Sequence, residues 1–397
     1  MSYMIRRSAY LSQLTDWLWK PVIKVITGIR RVGKSVLLKQ FIETLSSDVC
    51  VLYIDKENIA FDDIRTYVDL HKYILEHQSD QKKNILIIDE IQSIDQREKV
   101  VTSLAAESER YDLYITWSNS TLLSSELATT LSWRYITIHI YPLQFYEFQA
   151  DYQSDRTELF KQYMQQGWLP WLLALHDNIS LQQDYLLGLK NTIILKDIVD
   201  RFWIRNVTQF QNILVFLADN IGNLFSAKKI SDYFRSQQLS LTVMTLQDYL
   251  YYAQTTYLIY KLPRYDIKWK RLLEVNEKRY FGDIGLRNNI VWWRDRDIAL
   301  VLENIVFLEL LSRWYSVSVG VLWEKEIDFV ATRVSGEVEY FQVCYLLKDE
   351  QTIHREFGNL QAIKDNYPKT VITMDNTPSS SHEGIRRIHI IDWLLDR

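Results

Sequence analysis

The sequence predicts an α/β protein whose N-terminal part is a parallel β-sheet with helices on both faces. Apolar, β-branched runs alternate with helical stretches from Val22 to Ile140. Such alternation is typical of a parallel sheet with crossover helices. The 397 residues are also too many for one ordinary domain, so we expect two or three separate cores.

Five apolar runs predict the strands of that sheet. They are VIKVITG (22–28), VCVLYID (49–55), NILIIDE (84–90), LYITWS (113–118) and YITIHI (135–140). Each run is short and nearly continuous in apolar residues, as expected for strands that are buried on both faces. We therefore expect one α/β domain over residues 1–145.

Three further segments follow this domain. Residues 146–204 are mostly helical in pattern and predict a lid or linker. Residues 205–275 contain three short helical runs followed by the strand-like TYLIYKLPRYD, an order that is typical of a winged helix-turn-helix. Residues 280–397 combine the apolar helix IALVLENIVFLELLSRW with several strand-like runs, which predicts a second α/β domain.

The charge balance limits how the chain could contact nucleic acid. The sequence has 46 Lys and Arg against 50 Asp and Glu, a formal net charge of -4. This balance gives no overall attraction to a phosphate backbone, so DNA binding would need a local basic surface. Basic residues in or beside the winged-helix segment could form such a surface, and an ordinary solvated surface is the alternative. They are Lys228, Lys229, Arg235, Arg264, Lys268, Lys270 and Arg271.

Cysteine usage and hydropathy indicate a cytoplasmic protein. Cys50 and Cys344 lie far apart inside apolar runs and lack metal-ligand spacing, which fits free thiols in a reducing compartment. No window approaches the roughly 18 apolar residues of a membrane span. We therefore expect no membrane segment.

The segment GIRRVGKS fits the pattern G-x-x-x-x-G-K-[ST] between a predicted strand and a predicted helix, which is the context that the Walker A motif requires. In this motif backbone N–H groups converge on the phosphates of ATP, Lys34 supplies charge and Ser35 offers its hydroxyl to Mg²⁺. The residues expected to bind ATP here are Gly28, Ile29, Arg30, Arg31, Val32, Gly33, Lys34 and Ser35.

The run ILIIDE supplies the second half of the predicted site. Asp89 ends a buried strand at the carboxyl edge of the sheet, where it would lie near Mg²⁺, and Glu90 could then polarise the attacking water. An ordinary strand end has the same pattern. Its position about 55 residues after Lys34 of the Walker A segment favours the catalytic interpretation, a Walker B pair.

Seven segments together resemble one family. They are TGIRRVGKSVLL, LIIDEIQ, SNSTLLSSEL, RYITIHIYPLQFYEF, FLADNIGNLFSAKKISDYF, VLENIVFLELL and KEIDFVA. The family comprises prokaryotic ATPases with an N-terminal AAA domain, of the ASCE type of P-loop fold, and a C-terminal PD-(D/E)XK nuclease-like domain. The resemblance implies binding and hydrolysis of ATP with Mg²⁺, a winged-helix connector that can contact DNA, and a restriction-endonuclease-like C-terminal fold.

Two polar residues gain candidate roles from the AAA resemblance. Asn119 follows the fourth strand, where AAA-like ATPases keep a sensor of the γ-phosphate, and a plain strand-to-helix turn is the alternative. Arg134 is a candidate arginine finger in cis or in trans, because a guanidinium can neutralise charge on the transferred phosphoryl group. An ordinary surface arginine is the alternative for Arg134.

The nuclease-like resemblance carries over to three residues. Glu303 matches the acid of the first helix, and Asp328 and Gln342 match the two metal-site strands. The catalytic lysine expected two residues after the second acid is Cys344 here. Because a nuclease needs carboxylates for Mg²⁺ and a lysine that activates water, the sequence predicts a degenerate site, with residual metal binding as the alternative.

Tryptophan is unusually frequent, since 13 tryptophans outnumber 11 glycines. Left-handed backbone and close backbone approach favour glycine, and an indole would clash there. The hypothesis is that UGA codons of an organism that decodes UGA as glycine have been read as tryptophan, and genuine tryptophan in apolar space is the alternative. The eight tryptophans that stand where the resembling family has glycine are Trp117, Trp133, Trp168, Trp171, Trp269, Trp292, Trp314 and Trp323.

Three functions follow from the sequence. The leading one is an ATPase that couples its nucleotide state to a partner, with DNA as the candidate. The alternative is an ATP-dependent switch that recognises an unknown protein partner without cutting it. An active ATP-dependent nuclease is the weakest, because of Gln342 and Cys344. Each function is compatible with an oligomer.

Overall fold

The computed structural model describes residues 5–120, 134–150, 155–175, 178–239, 241–347, 350–376 and 378–396. The chain divides into two compact units. One unit comprises Met1–Tyr141 and Thr255–Tyr257, and the other comprises Pro142–Gln254 and Leu258–Arg397. The segments predicted as a lid, a winged helix and a C-terminal domain therefore share one unit.

The first unit contains a five-stranded parallel sheet with the order β2-β3-β4-β1-β5. This confirms the predicted α/β class and its parallel sheet. The strands are β1 (Ile23–Thr27), β2 (Val49–Asp55), β3 (Lys83–Asp89), β4 (Tyr111–Trp117) and β5 (Tyr135–His139). The helices among its described residues are α1 (Ser8–Asp16), α2 (Lys34–Glu43), α3 (Tyr67–His77) and α4 (Arg97–Ala106).

The central strands of this sheet are buried along their length, which explains their continuous apolar runs. A buried charge needs a partner, and Lys24 of β1 is fully buried beside Asp112 of β4, with which it forms an ion pair. The Lys24 ammonium also donates to the Lys20 carbonyl at 2.8 Å. These contacts fix β1 against β4.

The strand order determines where the functional residues meet. β4 lies between β1 and β3, and all three strands are parallel. The register pairs Thr27 with Trp117, and Ile88 with Ile115. The segments that follow Thr27, Asp89 and Trp117 therefore leave the sheet at the same carboxyl edge, the usual position of ligand sites in open α/β sheets.

The second unit contains an eight-stranded sheet with the order β12-β13-β11-β10-β9-β8-β6-β7. β6 and β7 form an antiparallel hairpin, and β6 also pairs in parallel with β8. This pairing joins the hairpin of the predicted winged-helix segment to the sheet of the C-terminal tail. The strands are β6 (Ile259–Asp266), β7 (Arg271–Phe281), β8 (Ser316–Leu322), β9 (Lys325–Thr332), β10 (Val338–Cys344), β11 (Lys369–Thr373), β12 (Ser380–His382) and β13 (Ile385–His389).

The three short helices predicted before the hairpin are present, and Ser226 caps the second by accepting a hydrogen bond from the Lys229 backbone N–H. None of the described helices is long and apolar enough to cross a membrane. The remaining helices are α5 (Phe145–Gln149), α6 (Arg156–Gln166), α7 (Ile179–Thr192, continued by a π-helix over Ile193–Asp200), α8 (Val207–Asp219), α9 (Ala227–Ser236), α10 (Val243–Thr255), α11 (Ile284–Val291), α12 (Ile298–Ser312), α13 (Glu350–Gln361) and α14 (Ile390–Leu395).

Three of the eight singled-out tryptophans have the left-handed backbone that favours glycine. The φ angles are 59° at Trp292, 65° at Trp314 and 61° at Trp323, and all three indoles are exposed. Trp19 and Trp203, which the sequence did not single out, also have positive φ, at 59° and 54°. A side chain with a Cβ is strained in this region, so these positions suit glycine.

The other singled-out tryptophans give a mixed result. Trp171 and Trp269 are exposed, without a positive φ. Trp117 and Trp168 are buried, and the Trp168 indole donates to the Tyr163 carbonyl at 2.7 Å. These two pack as genuine tryptophans would. Trp133 lies outside the described residues.

Candidate nucleotide site

The loop that follows β1 depends on its glycines. Gly28 has φ 146°, and a Cβ there would lie 2.5 Å from the Ile140 carbonyl oxygen. Gly33 has φ 98° and directly precedes α2, which begins at Lys34. Arg31 is also left-handed, with φ 68°. The loop therefore folds back tightly onto the N-terminus of α2, the geometry with which backbone N–H groups cradle a phosphate.

Side chains of the loop divide into anchors and exposed groups. Ile29 and Val32 are buried and hold the loop against the core, and the Val32 N–H donates to the Ile29 carbonyl at 3.2 Å. Arg30 forms an ion pair with Glu57 at 3.4 Å. Arg31 is exposed. The apolar anchors thus fix the loop, while Arg31 faces outward and Arg30, whose side chain is 14% exposed, lies against Glu57.

Lys34 is buried within this loop. Its ammonium donates to the Gly28 carbonyl at 3.1 Å and to the Ile29 carbonyl at 3.5 Å. The ammonium is thus folded back over the loop backbone, where it is a charged donor for a phosphate oxygen. Ser35 follows on the first turn of α2, and its side chain is half-buried.

Asp89 is buried at the end of β3 with both carboxylate oxygens occupied. The Thr116 hydroxyl donates to Oδ1 at 2.5 Å, and the Tyr53 phenol donates to Oδ2 at 2.8 Å. Burial, and then the charge of Asp89, raise the pKa of Tyr53, so the phenol keeps its proton. Sequence reasoning missed Tyr53 and Thr116, although both lie near the ends of strands that flank β3.

Glu90 has a constrained backbone and an oriented side chain. Its φ is 57°, an uncommon value for a non-glycine residue and one that is often found at functional sites. The Glu90 N–H donates to the Thr116 hydroxyl at 2.7 Å. The Gln92 amide donates to Oε2 of Glu90. The same amide nitrogen lies 3.4 Å from the Ser118 hydroxyl. Gln92, which sequence reasoning also missed, therefore orients the Glu90 carboxylate.

The structure separates the two candidate residues beyond β4. Asn119 is buried just after β4, on the same edge as Asp89, and its Oδ1 accepts a hydrogen bond from the Trp117 indole at 2.8 Å. Arg134 is exposed and precedes β5, where its carbonyl accepts from the Ile23 N–H at 2.9 Å. Because Ile23 begins β1, Arg134 lies at the amino edge of the sheet, opposite the Walker A loop. A role of Arg134 in cis therefore lacks support from this placement.

A buried histidine lies on β5, the strand that pairs with β1 and so lies beside the Walker A loop. His139 ends β5, and its Nδ1 lies 2.9 Å from the Thr27 hydroxyl. Burial, with a smaller effect of the Lys34 charge, lowers the pKa of His139 to about 3. The imidazole is therefore neutral at ordinary pH and adds no charge beside Lys34. No motif in the sequence identifies this histidine as part of the site.

The residues at the carboxyl edge fit the magnesium ion that accompanies ATP. Ser35 and Asp89 offer a hydroxyl and a carboxylate, the oxygen ligands that Mg²⁺ prefers. Ser35 and Asp89 would hold the ion, which would supply positive charge beside the phosphates of ATP.

Glu303, Asp328 and Gln342, the nuclease-like residues, come together in the second unit. The Asp328 N–H lies 3.5 Å from the Gln342 amide oxygen, and the Lys278 ammonium lies 2.5 Å from Glu303 and 3.5 Å from Asp328. Burial, with a smaller effect of the Glu303 charge, raises the pKa of Asp328 to about 8. Burial likewise raises the pKa of the Cys344 thiol to about 12.

This cluster does not fit a metal ion. Gln342 is neutral, the Cys344 thiol keeps its proton, and a buried ammonium faces the carboxylates. Among the described residues no group of three or more His, Cys, Asp and Glu is arranged to hold a metal ion. Sequence reasoning missed Lys278 because it lies on β7, far in sequence from Glu303 and Asp328.

The comparisons with known proteins agree with the geometry of the first unit. Residues 20–149 match the AAA domain family, and residues 157–297 match a domain of unknown function. A Walker-type ATPase of Pyrococcus abyssi shares the fold, with a TM-score of 0.51 and 15% identity over 72% of this chain and 96% of that chain. The first unit is therefore an AAA-type P-loop ATPase domain.

Two relatives extend along nearly the whole chain. An uncharacterized protein of Haemophilus influenzae is 38% identical over 402 residues, covering 99% of each chain. An uncharacterized protein of Methanocaldococcus jannaschii is 30% identical over 396 residues, covering 93% of this chain and 85% of that protein. The chain belongs to the family that includes these two relatives.

Proposed function

We propose that this protein binds ATP with Mg²⁺, hydrolyses the γ-phosphate and couples its nucleotide state to a partner. One observation carries the proposal. The Gly28–Ser35 loop, the Asp89–Glu90 pair and Asn119 all follow neighbouring strands at the carboxyl edge of one parallel sheet. A phosphate cradle, a metal ligand and a base are thus available at one place.

Each residue has a distinct role in this proposal. Lys34 and the loop N–H groups hold the β- and γ-phosphates, and Ser35 and Asp89 hold Mg²⁺. Glu90 positions the attacking water, and Gln92 orients the Glu90 carboxylate through the hydrogen bond to Oε2. Asn119 contacts the γ-phosphate as a sensor.

The proposed coupling to DNA relies on the hairpin and on the start of α9. Lys268, Lys270 and Arg271 are exposed at the hairpin turn, and Lys228 and Lys229 are exposed in the first turn of α9. Helix α10, the third helix of the predicted winged helix, contains no Lys or Arg. Binding through lysines and arginines alone would follow the phosphate backbone rather than the base sequence.

The exposed surface of α10 favours a second candidate, a protein partner. Met244 is 74% exposed, Tyr251 46% and Val243 37%, and Asp248 is the only charged residue of the helix. A partly apolar helix surface that carries no basic residue offers nothing to a phosphate backbone and suits a protein surface. In this alternative the ATPase domain acts as a nucleotide switch and the second unit recognises a protein.

The test is Mg²⁺-dependent ATP hydrolysis by the full chain, with and without duplex DNA. We expect Lys34→Ala and Glu90→Gln each to reduce the turnover rate by about 100-fold or more. Lys72→Ala and Glu76→Gln are matched controls, because this pair is exposed on α3, and they should leave the rate unchanged.

The outcomes separate the candidate functions. Stimulation by DNA that is lost when Lys268 and Lys270 are replaced by Gln would support the DNA-coupled ATPase. Hydrolysis that does not respond to DNA would favour the protein-partner switch. Equal rates in the wild type, Lys34→Ala and Glu90→Gln would refute the ATPase proposal itself.

A further inference from the structure

Lys278 is a buried ammonium surrounded by carboxylates. The residue lies on β7 and its side chain is 3% exposed. Its Nζ lies 2.5 Å from Oε1 of Glu303, 2.8 Å from Oε1 of Glu326 and 3.5 Å from Oδ1 of Asp328. One cation therefore contacts three acids that come from two other elements, α12 and β9.

The remaining contacts of these acids come from neighbouring protein groups. The Tyr280 phenol also donates to Oε1 of Glu303, at 2.5 Å. The Val343 N–H donates to Oδ2 of Asp328 at 2.8 Å, so both oxygens of Asp328 are engaged. Gly222 approaches Glu303 so closely that a Cβ there would lie 3.1 Å from its Oε2. Glu303 and Asp328 are thus enclosed, with side chains 12% and 11% exposed, while Glu326 is 37% exposed.

An ammonium and a divalent cation compete for the same carboxylate oxygens. A nuclease-like cluster holds Mg²⁺ with acids on a helix and on an adjacent strand, which are the elements that carry Glu303 and Asp328 here. The Lys278 ammonium is attached to the same chain, so its effective concentration at the cluster exceeds that of a free ion. A buried lysine that lost these acids would be an unpaired charge, which is strongly disfavoured.

We propose that the Lys278 ammonium takes the place of a divalent cation between Glu303, Glu326 and Asp328. The cluster then joins the β6–β7 hairpin to the core of the second unit and holds no metal. The hairpin, which carries the exposed Lys268 and Lys270 at its turn, is consequently fixed to the core of the second unit. This inference concerns the second unit alone and does not depend on ATP hydrolysis in the first.

The experiment titrates Mn²⁺ into the nucleotide-free full chain and measures free Mn²⁺ by electron paramagnetic resonance. Lys278→Met removes the ammonium and keeps much of the side-chain volume. Lys261→Met is the matched control, because Lys261 lies on the same hairpin and pairs with one acid, Glu277, at 2.5 Å. We expect Lys278→Met to gain one Mn²⁺ site that is at least about tenfold tighter than any site in the wild type or in Lys261→Met.

Two further variants assign that site. The gained site should disappear in the double variant Lys278→Met, Asp328→Asn, and Mn²⁺ should raise the melting temperature of Lys278→Met while leaving that of the wild type unchanged. If Lys278→Met does not fold, Mn²⁺ binding is compared between the wild type and Asp328→Asn. Equal binding by these two proteins supports the proposal that the wild-type cluster holds no metal. Tight Mn²⁺ binding by the wild type that Asp328→Asn abolishes would overturn it, as would a folded Lys278→Met that gains no site.

Discussion

The phenol of Tyr53 donates a hydrogen bond to Oδ2 of Asp89 at 2.8 Å, and so occupies one oxygen of the proposed magnesium ligand. The other oxygen accepts from Thr116 at 2.5 Å. Each oxygen of Asp89 therefore accepts a hydrogen bond from a protein side chain. Binding of Mg²⁺, whose water ligands are hydrogen-bond donors, would share or replace the contact with Tyr53.

Tyr53→Phe should destabilise the nucleotide-free protein more than the magnesium–ATP complex. Without the phenol, the buried Oδ2 of Asp89 loses a donor, which costs about 1–3 kcal/mol. Water ligands of Mg²⁺ would restore a donor to that oxygen. Thermal melting with and without magnesium–ATP measures this difference, and Tyr111→Phe, whose phenol donates to Gln78 instead, is the control. An equal loss under both conditions would show that Mg²⁺ does not approach Asp89.

Gln92→Ala should lower kcat for ATP hydrolysis by about tenfold while leaving KM nearly unchanged. The Gln92 amide donates to Oε2 of Glu90 and therefore acts through the orientation of that carboxylate. Among the described residues, the hydrogen bonds of the Gln92 side chain go to Glu90 and Ser118 and not to the Walker A loop. Steady-state kinetics separate the two constants, and Gln96→Ala, an exposed position just before α4, is the control. An increase in KM with kcat intact would contradict a positioning role.

His139 should make the protein less stable in acid. The pKa of His139 falls from its ordinary 6.5 to about 3 in the folded chain, mainly through burial. The unfolded chain therefore binds a proton that the folded chain does not, and stability falls as the pH drops below about 6.5, by up to about 1.4 kcal/mol per pH unit. His139→Asn should remove this contribution. Denaturant unfolding of both proteins between pH 7.5 and pH 4.5 measures it, in buffers of about equal ionic strength. Parallel stability curves would show that His139 does not titrate as expected.

Replacing individual tryptophans by glycine should give opposite effects at different positions. Trp292, Trp314 and Trp323 have left-handed backbone and exposed indoles, so glycine should raise the free energy of unfolding by about 1 kcal/mol at each. Trp168 is buried, stacks on Tyr163 and donates to its carbonyl, so Trp168→Gly should lower it by about 3–5 kcal/mol. Chemical unfolding of the four variants measures both effects.

The same positions test the codon hypothesis directly. Mass spectrometry of peptides from the protein made in its own organism would show either the mass of glycine or that of tryptophan at 292, 314 and 323. Indole-containing peptides at these three positions would refute recoding, and the strain at the left-handed backbone would then belong to the natural protein.

The first sheet and its loop could be predicted from the sequence because their signals are local. Each strand is a continuous apolar run, and the Walker A spacing fixes the turn between β1 and α2. The hydrogen bonds of Tyr53 to Asp89, of Gln92 to Ser118 and of His139 to Thr27 could not be predicted in this way. They depend on which strands are neighbours in the sheet, and alternation of strands and helices does not specify that order.

The cluster around Glu303 and Asp328 in the second unit could also be predicted only in part from the sequence. Glu303, Asp328 and Gln342 could be named from the resemblance, but Lys278 could not, because its hairpin joins their sheet only through the pairing of β6 with β8. Arg134 illustrates the converse. Its guanidinium makes Arg134 a candidate finger from the sequence, whereas parallel pairing of β5 with β1 places it at the amino edge of the sheet.

The most direct test of the proposed function is a single-turnover experiment with radiolabelled ATP on the wild type and Glu90→Gln. The proposal predicts that the wild type binds ATP and converts it to ADP and phosphate, while Glu90→Gln binds ATP in a Mg²⁺-dependent manner and retains it unhydrolysed. Lys34→Ala should retain no nucleotide. Hydrolysis by Glu90→Gln at the wild-type rate, or failure of the wild type to bind ATP at all, would contradict the proposed site.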